Sequence, residues 1–144
     1  MELSLPLAAE PLIPHRAPMR LVDRLLSYDH GAGTVEARIP ADGLLVAGDG
    51  RLHEVALLEL LAQAYAVVRG YGDQLTGQPV RRGFLVGVKE VVMERPVWAG
   101  DTVQIGVRTL ATVDDFVVAE GEVRQEGETV ARGSLKLWLS EEVA

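Results

Sequence analysis

The sequence predicts an α+β fold, in which one curved antiparallel sheet of about six strands wraps around one long central helix. Residues 53–72 are apolar or small on almost every side of a helical wheel, so the helix they form has to be covered all round. Two alternating segments come before this helix and four come after it, and short turn signals separate them. Strands joined by short turns pair antiparallel, which favours a sheet segregated from the helix.

The first part of the chain predicts an arm followed by a hairpin. Residues 1–18 contain four prolines, which leave room for at most one short helical turn, near residues 8–13. Residues 19–28 are rich in strand formers, the turn signal DHGAG follows, and residues 34–39 alternate between apolar and polar. We therefore expect the arm to lie over a domain that begins with two paired strands.

A loop, the helix and a meander of strands follow the hairpin. The loop covers residues 40–52, contains three glycines, and leads directly into the helix. After the helix, apolar alternation resumes between the turn signals WAGD, TVDD and QEGE. The strands predicted in this part of the chain cover residues 82–92, 102–109, 116–124 and 129–139.

Length and composition exclude several classes of function. The chain has 144 residues of globular composition, which predicts a single domain over residues 1–144. Its net charge of −7, without a Lys/Arg-rich segment, offers no footprint for nucleic acid or an anionic membrane surface. The absence of cysteine excludes disulfides and thiolate nucleophiles, and no apolar run is long enough for a membrane span. We expect a cytoplasmic protein.

The apolar helix also predicts an oligomer. One six-stranded sheet covers one face of such a helix and leaves the rest short of cover. A second subunit, identical or different, supplies the missing cover most simply through a twofold interface. This is the arrangement known as the hot-dog fold.

Glu59 and Gln63 are the polar residues in the interior of this helix. They are four residues apart, which places them on one face. An acid rarely goes inside a protein unless it has a partner, so Glu59 is the first candidate for chemistry, with Gln63 in support. In the alternative interpretation Glu59 accepts hydrogen bonds from Gln63 or the backbone and only specifies the packing.

Three stretches carry a family resemblance. They are residues 12–26 (LIPHRAPMRLVDRLL), 57–64 (LLELLAQA) and 84–103 (FLVGVKEVVMERPVWAGDTV). In this order and at these spacings they resemble the hot-dog dehydratases of fatty-acid synthesis, the FabZ and FabA type, which act on 3-hydroxyacyl thioesters of acyl carrier protein. The resemblance implies a dimer with an acyl tunnel at the subunit interface.

The chain lacks the residue that serves as the general base in that family. The family's general base is a histidine in a His-Phe-Pro-Gly run, fourteen positions before the helix acid, and that position here is Leu45. A loop without histidine beside an intact Glu-Leu-Leu-Ala-Gln helix most resembles the ApeP-like dehydratase relatives, which are encoded with aryl-polyene pigment pathways and work in mixed assemblies. Whether the chain is an enzyme on its own therefore stays open.

Three functions remain. The first is a 3-hydroxyacyl thioester dehydratase, a hydro-lyase with Glu59 as its acid. The second is a non-catalytic or half-site partner subunit of a histidine-bearing dehydratase paralogue. The third is a hot-dog thioesterase, in which a helix carboxylate activates water or attacks the thioester and needs no histidine.

Two positions outside the helix interior, His53 and Asp49, are candidates for the role of base. His53 stands six positions before Glu59, on a different helical face, which favours a role at the helix start. Asp49 lies in a Gly-Asp-Gly turn, where Asp is more often a turn former, although an Asp/Glu pair can divide acid and base roles. The resemblance gives His15 a role in positioning the arm rather than in the chemistry.

Arg81 and Arg82 form the only adjacent basic pair in the chain. They are candidates for contacting a phosphopantetheine phosphate or an acidic carrier protein, and surface solvation is the alternative. The sequence contains no glycine-rich phosphate loop and no set of residues with metal-ligand spacing. We therefore predict neither a metal nor a cofactor.

Overall fold

One curved antiparallel sheet packs against one long helix. The computed structural model describes residues 4–79 and 81–143. Along the sheet the strands follow the order β1-β2-β3-β5-β6-β7-β4, with every neighbouring pair antiparallel. The predicted fold class is confirmed. The elements are β1 (Leu7–Ala8), a 3-10 turn (Glu10–Leu12), β2 (Arg24–Asp29), β3 (Ala32–Arg38), α1 (Glu54–Leu75), β4 (Arg81–Met93), β5 (Thr102–Val113), β6 (Phe116–Gln125) and β7 (Glu128–Val143).

The arm adds a strand that the sequence did not predict, which makes seven strands instead of six. β1 pairs with β2, and the single predicted helical turn of the arm is present as the 3-10 turn. The strand predicted over residues 19–28 begins only at Arg24. Residues 16–20 form a turn instead, because the backbone N–H groups of Met19 and Arg20 both donate to the Arg16 carbonyl, at 2.9 and 3.0 Å.

The helix begins at Glu54, one residue later than predicted, and ends at Leu75 rather than at residue 72. Gly70 and Gly72 do not end the helix. They lie where the helix packs so closely against other parts of the chain that a side chain would not fit. A Cβ on Gly70 would lie 2.1 Å from the Leu12 carbonyl oxygen, and one on Gly72 would lie 2.7 Å from the Tyr28 hydroxyl. The glycine that follows the helix end is Gly77, which adopts a φ of +73°.

Within one subunit, α1 is not buried on every side. Its sheet-facing residues, such as Leu60 and Ala64, are fully buried against the core, whereas Val55 on the opposite side is 60% exposed. This agrees with the prediction that one sheet covers one face of the helix and leaves the rest short of cover. No helix within residues 4–79 and 81–143 has the length and hydropathy needed to cross a lipid bilayer.

β4 is the edge strand next to the incompletely covered side of α1. Among the residues that the structure describes, it pairs only with β7. Its apolar side chains are exposed on both faces of the strand, in contrast to β6, where every second side chain is buried. The exposed large apolar residues of β4 are Phe84, Leu85, Val86, Val88 and Val92.

Candidate active site

Gln63 joins Glu59 to the arm. The Gln63 side chain is 1% exposed, and its Nε2 donates to Glu59 Oε1 at 2.8 Å and to the Met19 carbonyl at 2.9 Å. Its Oε1 accepts from the Leu21 backbone N–H at 2.8 Å. The amide therefore fixes the orientation of the acid and the position of the arm together.

Glu59 itself is less buried than its place in the helix sequence predicted. Its side chain is 38% exposed, because it lies on the side of α1 that the sheet leaves uncovered. Only Oε1 is held, and Oε2 has no hydrogen-bond partner among the residues with described positions. A carboxyl group fixed by one oxygen can give or take a proton through the other.

Glu59 lies in a narrow slot between α1, the arm and the edge of the sheet. The slot has a volume of about 90 Å³, and its apolar lining includes Tyr65, Leu85 and Leu137. Its helical wall runs from Glu59 to Asp73, which is roughly 21 Å at 1.5 Å per residue. The arrangement resembles an apolar channel with an acid near its start.

Charged groups lie at the other end of this wall. Asp73 pairs with Arg69 at 3.3 Å. Burial raises the pKa of Asp73 above its usual value, and the nearby Arg69 guanidinium opposes that shift. Glu59 has no Lys or Arg partner among the described ion pairs, and its nearest ionisable neighbour in them is the His15 imidazole.

Arg81 and Arg82 do not act as one pair of cations on a common face, because neighbouring residues of a strand point to opposite sides. Arg81 donates to the carbonyls of Ser140 and Leu139 at 2.7 and 2.9 Å, and contacts Asp115 at 3.3 Å. These bonds hold the start of β4 against β7. The Arg82 side chain is exposed, and its contact with a carrier stays a prediction.

The loop residues considered as bases lie away from the slot. Asp49 is exposed, and its Oδ1 accepts from the Arg51 backbone N–H at 3.0 Å, which is the bond of a turn former. His53 is exposed at the N-cap position of α1, without a side-chain capping bond. Leu45, where the family's histidine would stand, is half-buried against the core.

His15 lies beside the acid, although the family resemblance implied only a role in positioning the arm. Its Nε2 is 3.8 Å from Glu59 Oε1, and both residues line the slot. The two are 44 positions apart, so no local spacing rule relates them. The one available signal was that His15 and the helix acid both belong to the stretches that carry the family resemblance.

A larger concavity, of about 960 Å³, lies on the face of the sheet that is turned away from α1. Four of its charged residues form two ion pairs, Arg108 with Glu120 and Arg124 with Glu122. Within the part of the chain that the structure describes, no three His, Asp or Glu side chains are grouped closely enough to hold a metal ion. We therefore place the candidate active site in the slot.

Comparisons with protein families and known relatives show which family the chain is similar to. A family model described as ApeP-like, ApeP dehydratase, matches residues 7–144. The chain is 32% identical over 129 residues to the 3-hydroxyacyl-[acyl-carrier-protein] dehydratase FabZ of Latilactobacillus sakei, covering 86% of this chain and 90% of that protein. It is 33% identical over 132 residues to the FabZ of Roseiflexus castenholzii, covering 78% and 88%.

Solved structures share the fold. A structure described as the dehydratase heterocomplex ApeI:P from Xenorhabdus doucetiae matches with a TM-score of 0.87 and 23% identity, over 94% of this chain and 93% of that chain. The PaaI protein from the phenylacetic acid degradation operon of E. coli matches with a TM-score of 0.65 and 20% identity, over 85% and 81%. The curved sheet around one helix is common to all of them.

Proposed function

The chain belongs to the ApeP-like dehydratase family, and from this premise we propose that it supplies the acid half of a 3-hydroxyacyl thioester dehydratase site. The base comes from a histidine-bearing dehydratase paralogue with which the chain forms a mixed dimer. The observation that carries the proposal is that the acid is held in the site, whereas no residue of the loop is placed there to act as the base. Glu59 is held by Gln63 inside an apolar slot, whereas the loop that carries the base in the FabZ type has Leu45 at that position and directs Asp49 and His53 to solvent.

The chemistry of dehydration needs two groups. The base removes the proton from Cα, the Cα–Cβ double bond forms, and the bond from Cβ to the hydroxyl oxygen breaks while an acid protonates that oxygen. Protonated Glu59 is the acid in our proposal, and water is the product that leaves. Gln63 keeps Oε1 in place, so that Oε2 faces the hydroxyl with its proton.

The slot also supports a site that is shared between subunits. Its volume of about 90 Å³ is room for about three water molecules and lies far below the roughly 300–1,000 Å³ of typical ligand pockets. The unpaired edge of β4 and its exposed apolar side chains lie beside this slot. A long, apolar, unpaired strand edge favours pairing with another chain. The partner's wall would enlarge the slot into an acyl channel.

Relatives support the proposed partner and the proposed substrate. Two FabZ relatives above 30% identity are named as 3-hydroxyacyl-[acyl-carrier-protein] dehydratases, which favours a carrier-bound thioester as substrate. One solved structure of the same fold is described as a dehydratase heterocomplex. Together with the missing loop histidine, this favours the mixed dimer over a homodimer.

The test is dehydration of a 3-hydroxyacyl thioester of acyl carrier protein, followed by mass spectrometry as the loss of water. We expect this protein alone to be slower than ordinary family enzymes by about 10² to 10⁴-fold, the usual contribution of a general base. Mixing it with a histidine-bearing paralogue from the same genome should restore the rate. In the mixed dimer, Glu59→Gln should remove turnover at the site that this chain provides.

Three results would contradict the proposal. An ordinary enzymatic rate without a partner would mean that this chain contains its own base. Release of the free acid instead of the unsaturated thioester would identify a thioesterase. A mixed dimer in which Glu59→Gln keeps its full rate would show that Glu59 serves only the packing.

A further inference from the structure

We propose that His15 is a positioning residue for Glu59: its neutral imidazole carries the proton on Nε2, donates it to Glu59 Oε1, and so leaves Oε2 as the oxygen that bears the reactive proton. This inference rests on the proposed function of Glu59 as the acid. It goes beyond it by naming a second donor to the acid, the His15 imidazole. It also excludes His15 as a general base within this chain.

The environment of Nδ1 selects the tautomer. This atom is buried and has no hydrogen-bond partner among the residues that the structure describes. A proton on Nδ1, in the other neutral tautomer or in the imidazolium, would be a buried N–H donor without an acceptor. Leaving Nδ1 as a bare acceptor costs less than burying an unpaired donor. The proton of the neutral ring therefore belongs on Nε2.

Nε2 is the ring nitrogen that points at the acid. It lies 3.8 Å from Glu59 Oε1, about 1 Å longer than a hydrogen bond. Catalytic hydrogen bonds are often this long before substrate binds, and they shorten in the complex. Because this nitrogen already carries the proton, it cannot accept one from Cα of a substrate.

Both donors meet at the same oxygen. Gln63 Nε2 donates to Glu59 Oε1 at 2.8 Å, and His15 Nε2 lies 3.8 Å from the same atom. In a protonated carboxyl group, the oxygen that accepts N–H bonds is the carbonyl oxygen, and the proton resides on the other one. The two donors therefore assign the acidic proton to Oε2.

The arm is built to hold His15 in this place. Arg16 Nη1 donates to the carbonyls of Ile13 and His15 at 2.7 and 2.8 Å, which clamps the turn around the imidazole. On the other side of His15, Gln63 binds the arm backbone at Met19. The backbone on both sides of His15 is therefore held by hydrogen bonds, as a residue with a positioning role requires.

Three substitutions separate positioning from proton transfer. Gln places an N–H close to the location of Nε2, whereas Asn is too short and Leu has no donor. In the mixed dimer we expect His15→Leu and His15→Asn to lower kcat about tenfold with KM within about twofold, and His15→Gln to retain most of kcat. Equal losses for all three variants would mean that the imidazole transfers a proton, and the proposal would fall. His30→Asn, at a fully exposed histidine, is the matched control and should change nothing.

A second measurement needs no activity. Nitrogen-15 NMR of the histidine side chains distinguishes the two neutral tautomers and the imidazolium. We expect His15 at neutral pH to be protonated on Nε2 alone, and a proton on Nδ1 would overturn the inference. If the dehydration assay fails while this tautomer is observed, the proposed function is wrong but the geometry of the pair stands.

Discussion

The arm and the loop both contact α1, but they do so by different means. The arm is held by a side chain of the helix, since Gln63 bonds to the backbone at Met19 and Leu21. The loop is held by its own backbone and by the segment after β4. Its backbone bonds join Ala47 to Arg51 at 2.8 Å, His53 to Leu45 at 2.8 Å and Leu52 to Val97 at 2.8 Å.

This difference decides which residues reach the acid. The bonds of the arm bring His15 to 3.8 Å from Glu59 Oε1. The bonds of the loop close it on itself and leave Asp49 and His53 exposed. Nearness in sequence to the place of the family's base is therefore a poor guide to nearness to the acid. The segment that reaches the acid is the arm, which is anchored to the helix by the buried Gln63 amide.

The largest effect should come from breaking the anchor of the arm. Gln63→Leu keeps the volume of the side chain but leaves the Met19 carbonyl and the Leu21 N–H without partners. We expect a loss of about 2–3 kcal/mol in the free energy of unfolding, measured in urea, because each unpaired polar group costs about 1–3 kcal/mol. Turnover in the mixed dimer should fall as well, since Glu59 loses its donor.

Gln78→Leu is the matched control, because it makes the same exchange at an exposed position after α1. It should change the free energy of unfolding by less than about 0.5 kcal/mol. Equal effects of the two substitutions would mean that the bonds of Gln63 to the arm contribute nothing, and the contrast between arm and loop would disappear.

The pattern of apolar residues was sufficient for the fold class, because period and turn signals are local properties of the chain. The spacing of Glu59 and Gln63 also predicted their pairing, which the 2.8 Å hydrogen bond confirms. The end of the helix was not predictable in the same way. Two glycines close together are typical of a helix end, which is why the helix was predicted to end at Gly72. Gly70 and Gly72 instead allow the helix to pack closely against Leu12 and Tyr28, which are far away in the sequence.

The same limit applies to the site. The proximity of His15 to Glu59 depends on three things at once: the turn at Arg16, the bonds of Gln63, and the short β1 that docks the arm on the sheet. The bonds of Gln63 and the pairing of β1 are long-range contacts, which no spacing in the sequence predicts. A resemblance to a family located the motif, but it could not show that the imidazole faces the acid.

The effect of intermediate size on the free energy of unfolding should come from Gly70→Ala. An isolated helix gains about 0.5–1 kcal/mol from Gly→Ala, but at Gly70 the new Cβ would lie 2.1 Å from the Leu12 carbonyl oxygen. Because backbone cannot yield as a flexible side chain does, we expect Gly70→Ala to lower the free energy of unfolding by about 1–2 kcal/mol net.

Gly48 of the loop provides the comparison. A Cβ there would meet no atom within 4 Å, and its φ lies outside the left-handed region. Gly48→Ala should therefore leave the free energy of unfolding unchanged or raise it by about 0.4–1 kcal/mol. If Gly70→Ala proves as harmless as Gly48→Ala, the arm moves away from α1 at little cost and does not form a fixed wall of the slot.

The smallest effects should come from the loop residues that the sequence offered as bases. Asp49→Ala loses one exposed hydrogen bond, to the Arg51 N–H, and His53→Ala loses no side-chain bond at the helix start. Each should change the free energy of unfolding by less than about 1 kcal/mol and leave kcat and KM in the mixed dimer within about twofold. Because a general base contributes about 10² to 10⁴-fold, even one lost base would stand far outside that range. A fall of that size in either variant would place the base in this loop, so that the chain would need no partner for its chemistry.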